Sequence, residues 1–426
     1  MKEKNQPIKD IAGAKIISAS QHNISEKQIN KNVLKILRYL NDAGFEAYLV
    51  GGGVRDLLLK RHPKDFDVAT NALPHQIKKL FYNCRLIGRR FRLAHIHFGR
   101  DIIEVATLRA SHEGAQHHEA HSHEGMVIRD NVYGSIDQDA KRRDFTVNAL
   151  YYSIKDCSLI DFFHGFTDLQ HKKLDVIGDP ETRYREDPVR MLRAARIAGK
   201  LDLTVTTRTK EPILKLNDLL QKIPPARLFD ETIKLFHTGA SSKIFPLLSQ
   251  YGLFAQLFPL TSKSIKKQPS VKTFINALLR DTDTRIHQSK PVAPAFLFAA
   301  LLWFPLLEIW ETKQNEYVTQ RESFEKSTSL VISKQKQHTA ISQNVSKTIR
   351  EIWYLQHRLE RRRPKFIESL FVHPHFRAAY DLLILRAKTN KSLKEHAGWW
   401  TQYQSASKAK QRKMIADMNL KKKKRG

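Results

Sequence analysis

Two acids, Asp65 and Asp67, stand one residue apart in the run Lys64-Asp65-Phe66-Asp67-Val68. In an extended segment, residues two apart project to the same face, so both carboxylates would point together while Phe66 turns toward the core. Like charges this close repel unless a cation sits between them, and a hard ion with oxygen ligands such as Mg²⁺ is the expected occupant. Just upstream, Gly51-Gly52-Gly53-Val54-Arg55-Asp56 follows the apolar run Ala47-Tyr48-Leu49-Val50. That order predicts a short buried strand, a glycine turn and a helix start, where exposed amides favour anions. Arg55 adds a forked cation suited to phosphate oxygens. Each feature alone is common. Together they supply a metal cage and a grip for a triphosphate, the two requirements of nucleotide transfer.

Two-metal phosphoryl chemistry calls for a third acid as ligand or base. Glu104 and Asp144 are both candidates. Glu104 lies in the β-like run Asp101-Ile102-Ile103-Glu104-Val105, facing away from its apolar neighbours. Asp144 follows Arg142-Arg143 and precedes Phe145-Thr146-Val147-Asn148-Ala149-Leu150, a basic pair read as opening an apolar helix, where Asp could equally be an N-cap. Pattern alone leaves that choice open. Further on, Asp187-Pro188 reads as a helix start, and Arg190, Arg193 and Arg196 then recur every third residue while Leu192, Ala195 and Ile197 face inward. Asp187 beside Arg190 offers an acceptor next to a donor. That order matches the amine and ring nitrogen of adenine or cytosine, and leaves guanine and uracil with unpaired polar groups.

The segments Gly51 to Asp56, Asp65-Phe66-Asp67, Arg142 to Leu150 and Glu186-Asp187-Pro188-Val189-Arg190 resemble, in order, the successive motifs of the class II nucleotidyltransferases. That group comprises tRNA CCA-adding enzymes and bacterial poly(A) polymerases. Within it, Leu86-Ile87-Gly88-Arg89-Arg90-Phe91-Arg92-Leu93-Ala94-His95-Ile96, the run from Asp130 to Ser135, that from Ile223 to Glu231 and that from His373 to Asp381 are similar to the poly(A) polymerase branch. The resemblance implies that Asp65 and Asp67 hold the metals and that Gly52 and Arg55 hold the triphosphate. It also implies that Arg143, Asp187, Arg190, Arg193 and Arg196 contact the incoming nucleotide, and it favours Asp144 as the third catalytic acid. The implied activity is template-independent addition of AMP from ATP to RNA 3′ ends, with Mg²⁺ as cofactor. The implied partners are mRNA and small RNAs together with RNA-decay proteins, the enzyme acting as a monomer.

The composition agrees with a polyanionic partner. Seventy-three Lys and Arg against 43 Asp and Glu give a net charge of +30, which predicts salt-dependent binding to nucleic acid. Nine of these cations fall in residues 408–425, against the single acid Asp417. Such a block reads as a disordered basic tail for anchoring RNA. An adaptor without catalysis would have no use for Asp65 and Asp67. Only Cys84 and Cys157 occur, so there is no disulfide framework, and a reducing cytoplasm is expected. The N-terminal residues lack an apolar signal region. The longest apolar run, 292–307, is interrupted by Pro294 and Pro305 and is too short to span a membrane. Five histidines between residues 111 and 125, His112, His117, His118, His121 and His123, match neither a helix face nor a tetrahedral ligand pattern. A lid beside the site is the expectation there.

These readings converge on an α+β chain: an N-terminal nucleotidyltransferase head with a mixed β-sheet, then an all-α neck and body, then the tail. The expected divisions are a polar arm at 1–30, the head at 31–165, a neck with the recognition helix at 166–235, the body at 236–405 and the tail at 406–426. Residues 311–346 read as a linker or a solvated helix.

Overall fold

The computed structural model describes residues 11–88, 92–110, 132–313, 316–317 and 319–423, with no side-chain detail beyond residue 418. The histidine-bearing segment 111–125 lies outside the described residues, as do Arg89 to Phe91 and Asp130-Asn131 of the motif stretches. The chain divides into two compact units, Met1–Leu216 and Asn217–Gly426.

The N-terminal unit is built on an eight-stranded sheet. Its strands are β1 (Lys15–Ile17), β2 (Ala47–Val50), β3 (Asp67–Thr70), β4 (Cys84–Ile87), β5 (Leu93–Phe98), β6 (Asp101–Thr107), β7 (Leu150–Tyr152) and β8 (Leu159–Asp161). Their order across the sheet is β1-β8-β7-β2-β3-β6-β5-β4. All pairings are antiparallel except β3 with β6, so the sheet is mixed, as expected. All four residues of the central strand β2 are buried, which explains its unbroken apolar sequence. Helix α1 (Lys31–Asp42) buries Val33, Leu34, Ile36, Leu37 and Leu40, an i, i+3, i+4, i+7 stripe. The arm expected to be merely polar supplies β1, because Ile17 completes the core edge beside β8.

Helices α2 (Gly52–Leu58), α3 (Pro74–Leu80), α4 (Ile136–Arg142), α5 (Gly165–Gln170), α6 (Pro180–Glu186), α7 (Val189–Leu201) and α8 (Thr207–Leu216) complete this unit. A short parallel pair joins β9 (Lys173–Leu174) to β10 (Thr204–Val205). The segment after Asp144 is not an apolar helix. A single 3-10 turn, Thr146–Asn148, leads directly into β7. The apolar residues 145–152 are buried on all sides, and the sheet takes them as a strand where sequence pattern could not separate a buried strand from a helix.

The C-terminal unit is helical throughout its described residues. Residues 292–307 form two helices, Pro294–Leu301 and Trp303–Lys313, bent by 49°. No single described helix is long and apolar enough to cross a membrane. The indole of buried Trp353 donates to the Ala299 carbonyl at 2.9 Å, and Trp400 does the same to Leu359 at 2.9 Å. The stretch read as linker or solvated helix contains helix Gln320–Lys336, which buries Ser323, Ser327, Thr328, Val331 and Ile332. Small hydroxyl-bearing residues hid this face from hydrophobic periodicity; Ser327 donates to the Ser323 carbonyl and needs no water. Arg361-Arg362-Arg363 sits at a helix end, with Arg362 as the left-handed cap. Lys408–Lys423 is helical, and its Met414, Ile415 and Met418 pack on the cluster that holds Trp400 and Tyr403.

Gly165 is the tightest glycine near the motif turn. A Cβ there would lie 2.1 Å from the Thr146 carbonyl oxygen. Gly165→Ala is therefore expected to destabilise the N-terminal unit by about 3 kcal/mol, the upper part of the range for overpacking, read as a shift in urea midpoint with unchanged slope.

Candidate active site

The glycine turn forms as the sequence implies. Gly51 has φ +69° and starts α2, a conformation costly for any residue with a Cβ. Its open side faces chemistry: a Cβ there would stand 3.3 Å from Nη1 of Arg143 and 3.9 Å from Oδ2 of Asp67. Gly53 lies against Phe66 and the Asp65 carbonyl. The glycine turn, Arg143 and the paired acids thus meet at the ends of β2 and β3.

The acids are arranged differently from the expected strand face. Only Asp67 belongs to β3; Asp65 lies in the lead-in to it. Asp67 is instead in register with Glu104 on the parallel neighbour β6. Glu104 also approaches His95 on β5, with Nε2 to Oε1 at 3.4 Å. Loss of water around the Asp67 carboxyl pushes its pKa up even though the residue keeps an open edge. Glu104 and Asp65 add to that rise and Arg143 opposes it. Three acids therefore crowd one edge of the sheet, and Glu104 is brought to Asp67 by strand register. Among the described residues no three His, Cys, Asp or Glu form a closed metal cage. A divalent cation on Asp65 and Asp67 would take further ligands from substrate phosphates and water, the usual habit of Mg²⁺.

Arg143 is clamped from behind. Its Nη2 and Nε donate to Asp139 Oδ2 at 2.9 and 3.1 Å, its Nε also reaches the Tyr151 hydroxyl at 2.9 Å, and Tyr151 donates to Asp139 at 2.7 Å. Burial disfavours the Asp139 charge, but Arg143 and Tyr151 outweigh it and hold that carboxyl below its ordinary range. The guanidinium also lies 5.0 Å from the Tyr151 ring centre. Such a fixed, fully charged fork beside an open glycine is suited to a phosphate.

Arg55 and Asp144 are tied to each other through Asn148, a residue whose role the sequence did not signal. Arg55 is buried. Its Nε and Nη2 donate to Asp56 Oδ1 at 2.9 and 2.6 Å, and its Nη1 donates to Asn148 Oδ1 at 2.6 Å. The amide of Asn148 donates in turn to Asp144 Oδ1 at 3.0 Å. Asp144 also accepts the Phe145 N–H at 2.9 Å and Nε of Arg193 at 2.7 Å. Burial alone would raise the Asp144 carboxyl, but Arg193, Asn148 and the Phe145 amide hold it well below the usual carboxylate range. A carboxylate so acidic is a weak proton acceptor; here it orients Arg193 and Asn148. Gly52 sits next to Arg55, whose Nη2 would be 3.4 Å from a Cβ.

The arginine stripe lies on α7 with each member half-buried and Leu192, Ala195 and Ile197 on the inner side. Asp187 stands just before the helix, its Oδ1 accepting the Val189 N–H at 3.3 Å. Arg190 Nη1 donates to the Arg183 carbonyl at 2.7 Å and to Glu186 at 2.9 Å. Arg183, another group missed in the sequence, donates to the carbonyls of Arg142 and Arg143, both at 2.7 Å, and so fastens α6 to the motif turn. Arg196 lies two turns beyond Arg190 on the same stripe.

Comparison with known proteins adds a second line. Residues 47–175 match the poly A polymerase head domain, residues 202–265 the probable RNA and SrmB-binding site of polymerase A, and residues 316–426 the polymerase A arginine-rich C-terminus. Poly(A) polymerase I of Salmonella typhimurium is 47% identical over 412 residues, covering 95% of this chain and 89% of that protein. Poly(A) polymerase I of Haemophilus influenzae is 47% identical, covering 94% and 90%. A CCA-adding enzyme of Lactobacillus helveticus is 38% identical over 202 residues, 47% of this chain and 49% of that one. Among solved structures, the Bacillus stearothermophilus CCA-adding enzyme in complex with CTP superposes with a TM-score of 0.59 at 24% identity, over 85% of this chain and 80% of the other.

The Asp144–Arg193 contact has a defined pH signature. Its folded carboxyl pKa lies below the unfolded value of about 3.9, so the pair contributes stability that is complete above that unfolded value and lost as pH falls below it. Asp144→Asn should cost about 2 kcal/mol near neutrality, less than a fully buried pair because 36% of the Arg193 side chain is exposed. In urea titrations across pH, the gap to wild type should narrow below about pH 4.

Proposed function

The chain belongs to the bacterial poly(A) polymerase family and is a template-independent polynucleotide adenylyltransferase acting on RNA 3′ ends; we propose that it draws AMP from ATP at the edge formed by Asp65, Asp67, Glu104, Gly51 and Arg143. The observation that carries this reading is the meeting of three crowded acids with an open glycine and a clamped guanidinium. Asp65 and Asp67 would hold the magnesium, with Glu104 adding negative field beside them. Bound there, divalent magnesium supplies a lowered pKa for the RNA 3′ hydroxyl and charge neutralisation on the phosphates.

The remaining steps rest on protein groups. The α2 amides from Gly52 onward face the triphosphate with the Arg55 guanidinium adding positive field from behind Gly52, and Arg143 balances charge as the hydroxyl attacks the α-phosphorus and pyrophosphate departs. Asp144 serves as a positioning residue through Asn148 and Arg193. Asp187 accepts the adenine amine and Arg190 donates to the ring nitrogen, with Glu186 setting the pose of Arg190. Arg193 and Arg196 extend the basic stripe toward the incoming nucleotide. Residues 166–235 form the neck that presents this helix, 236–405 the body that holds RNA, and the basic end from 406 anchors it. The proposed setting is the cytoplasm, on mRNA and small-RNA ends, as a monomer that meets RNA-decay proteins.

The direct test incubates purified protein with a generic RNA, magnesium and each nucleoside triphosphate in turn. Long extension with ATP alone is expected; an ordered C-C-A addition to trimmed tRNA in its place would overturn the reading. Asp65→Ala should abolish extension while leaving the circular dichroism spectrum and melting temperature intact. Asp187→Asn should reduce kcat/KM for ATP and narrow its advantage over GTP by about 10- to 100-fold, since the amide relieves the mismatch with guanine.

A further inference from the structure

Helix Gln343–Arg361 in the C-terminal unit starts at Ser342, whose hydroxyl accepts the Val345 N–H. The amides of Gln343 and Asn344, in its first turn, have no acceptor within the helix. Both residues line a cavity of about 500 Å³ that opens beside this start. Lys336, Lys347 and Arg350 bring three cations to its wall, against one acid, Glu351. Neither lysine enters an ion pair among the described residues, and Glu351 lies 3.8 Å from His373.

Two wall residues carry polar atoms that the protein does not satisfy. Ser346 is only 6% exposed, and its Oγ has no hydrogen-bond partner; Nε of Arg350 is likewise buried and without one. Ser346 and Arg350 are four apart on one helix face, so both belong to the same side of the cavity. Buried polar groups left unmatched are costly in a folded protein and mark a place where a ligand completes the bonding. This side is held in place: Arg350 Nη2 donates to Ser329 at 3.3 Å, and the Tyr354 ring packs 5.5 Å from Phe324.

We infer that this cavity binds a phosphate of the RNA backbone, with Lys336, Lys347 and Arg350 supplying charge and the helix start and Ser346 supplying hydrogen bonds. The site would hold a phosphate of the substrate strand other than the one at the reacting 3′ end, and it rests on the adenylyltransferase reading only for the identity of the polyanion. Its dimensions admit one phosphate with its adjoining sugar, and an anion at a helix start gains from the aligned backbone dipoles.

Lys347→Gln with Arg350→Gln, and separately Ser346→Ala, are compared with the full-length protein in fluorescence anisotropy with a labelled single-stranded RNA at several salt concentrations. The double variant should raise the Kd several-fold and reduce the slope of log Kd against log salt by about 0.7 per charge removed. Ser346→Ala should weaken RNA binding while leaving the melting temperature unchanged, which separates ligand contact from a folding defect. Extension of a dinucleotide primer should keep its wild-type kcat in all variants, since none of the substituted residues belongs to the edge formed by Asp65, Asp67, Glu104, Gly51 and Arg143. Unchanged RNA affinity and salt slope in the double variant would overturn the inference. So would stabilisation of wild type by inorganic phosphate without any change in RNA binding, because the cavity would then take a free anion only. Wild-type ATP incorporation, measured first, reports independently on the activity itself.

Discussion

The N-terminal unit depends on one buried polar chain, Asp56–Arg55–Asn148–Asp144–Arg193, which joins the start of α2, the turn before β7 and the arginine face of α7. Each member is charged or strongly polar, and all but the half-buried Arg193 are largely withdrawn from water. The chain is therefore tolerable only when every link is made, since a half-satisfied buried network costs more than an apolar one. Completeness is what fixes three separately folded segments in one relative position. Asn148 is central because an amide can accept from Arg55 and donate to Asp144 at once. No other uncharged side chain of that size does both in fixed directions.

Around that frame the site is held in electrostatic tension. Burial, Glu104 and Asp65 make the Asp67 carboxyl costly to ionise, while Arg143, anchored by Asp139 and Tyr151, relieves part of that cost. Folding supplies the hydrophobic sheet that keeps these groups from drifting apart. β2, fully buried, ends at Gly51, and β3 begins at Asp67, directly opposite Val50 in register. A strand pair in register thus converts two sequence motifs into one surface.

The C-terminal unit solves a different problem, packing a strongly cationic chain. Its interior holds large aromatic residues, with Trp353 and Trp400 fully buried and their indole N–H groups satisfied by carbonyls. The cations are left on the outside or along cavity walls, where a polyanion can reach them. Even the lysine-rich end obeys this division. Three apolar side chains at Met414, Ile415 and Met418 are enough to seat a helix whose other residues are mainly basic or polar.

The sequence by itself determined the kinds of chemistry and most of the elements. Asp65, Asp67, the glycine run and the arginine stripe were legible because spacing along the chain sets which groups can meet at a turn or on a helix face. The mixed sheet followed from short apolar runs bounded by turns, and the helical remainder from its periodicity. Tertiary structure alone decided the partners. Strand register placed Glu104 beside Asp67, across 37 positions of chain, and no local pattern encodes which residue lies opposite another. Packing turned residues after Asp144 into 3-10 turn and strand, and thereby aimed Asn148 at Arg55. It also gave Asp144 to Arg193, 49 positions further along the chain, a pairing that spacing did not signal. Local spacing follows covalent geometry, whereas the pairing of buried charges follows from which distant segments the hydrophobic core brings within hydrogen-bond reach.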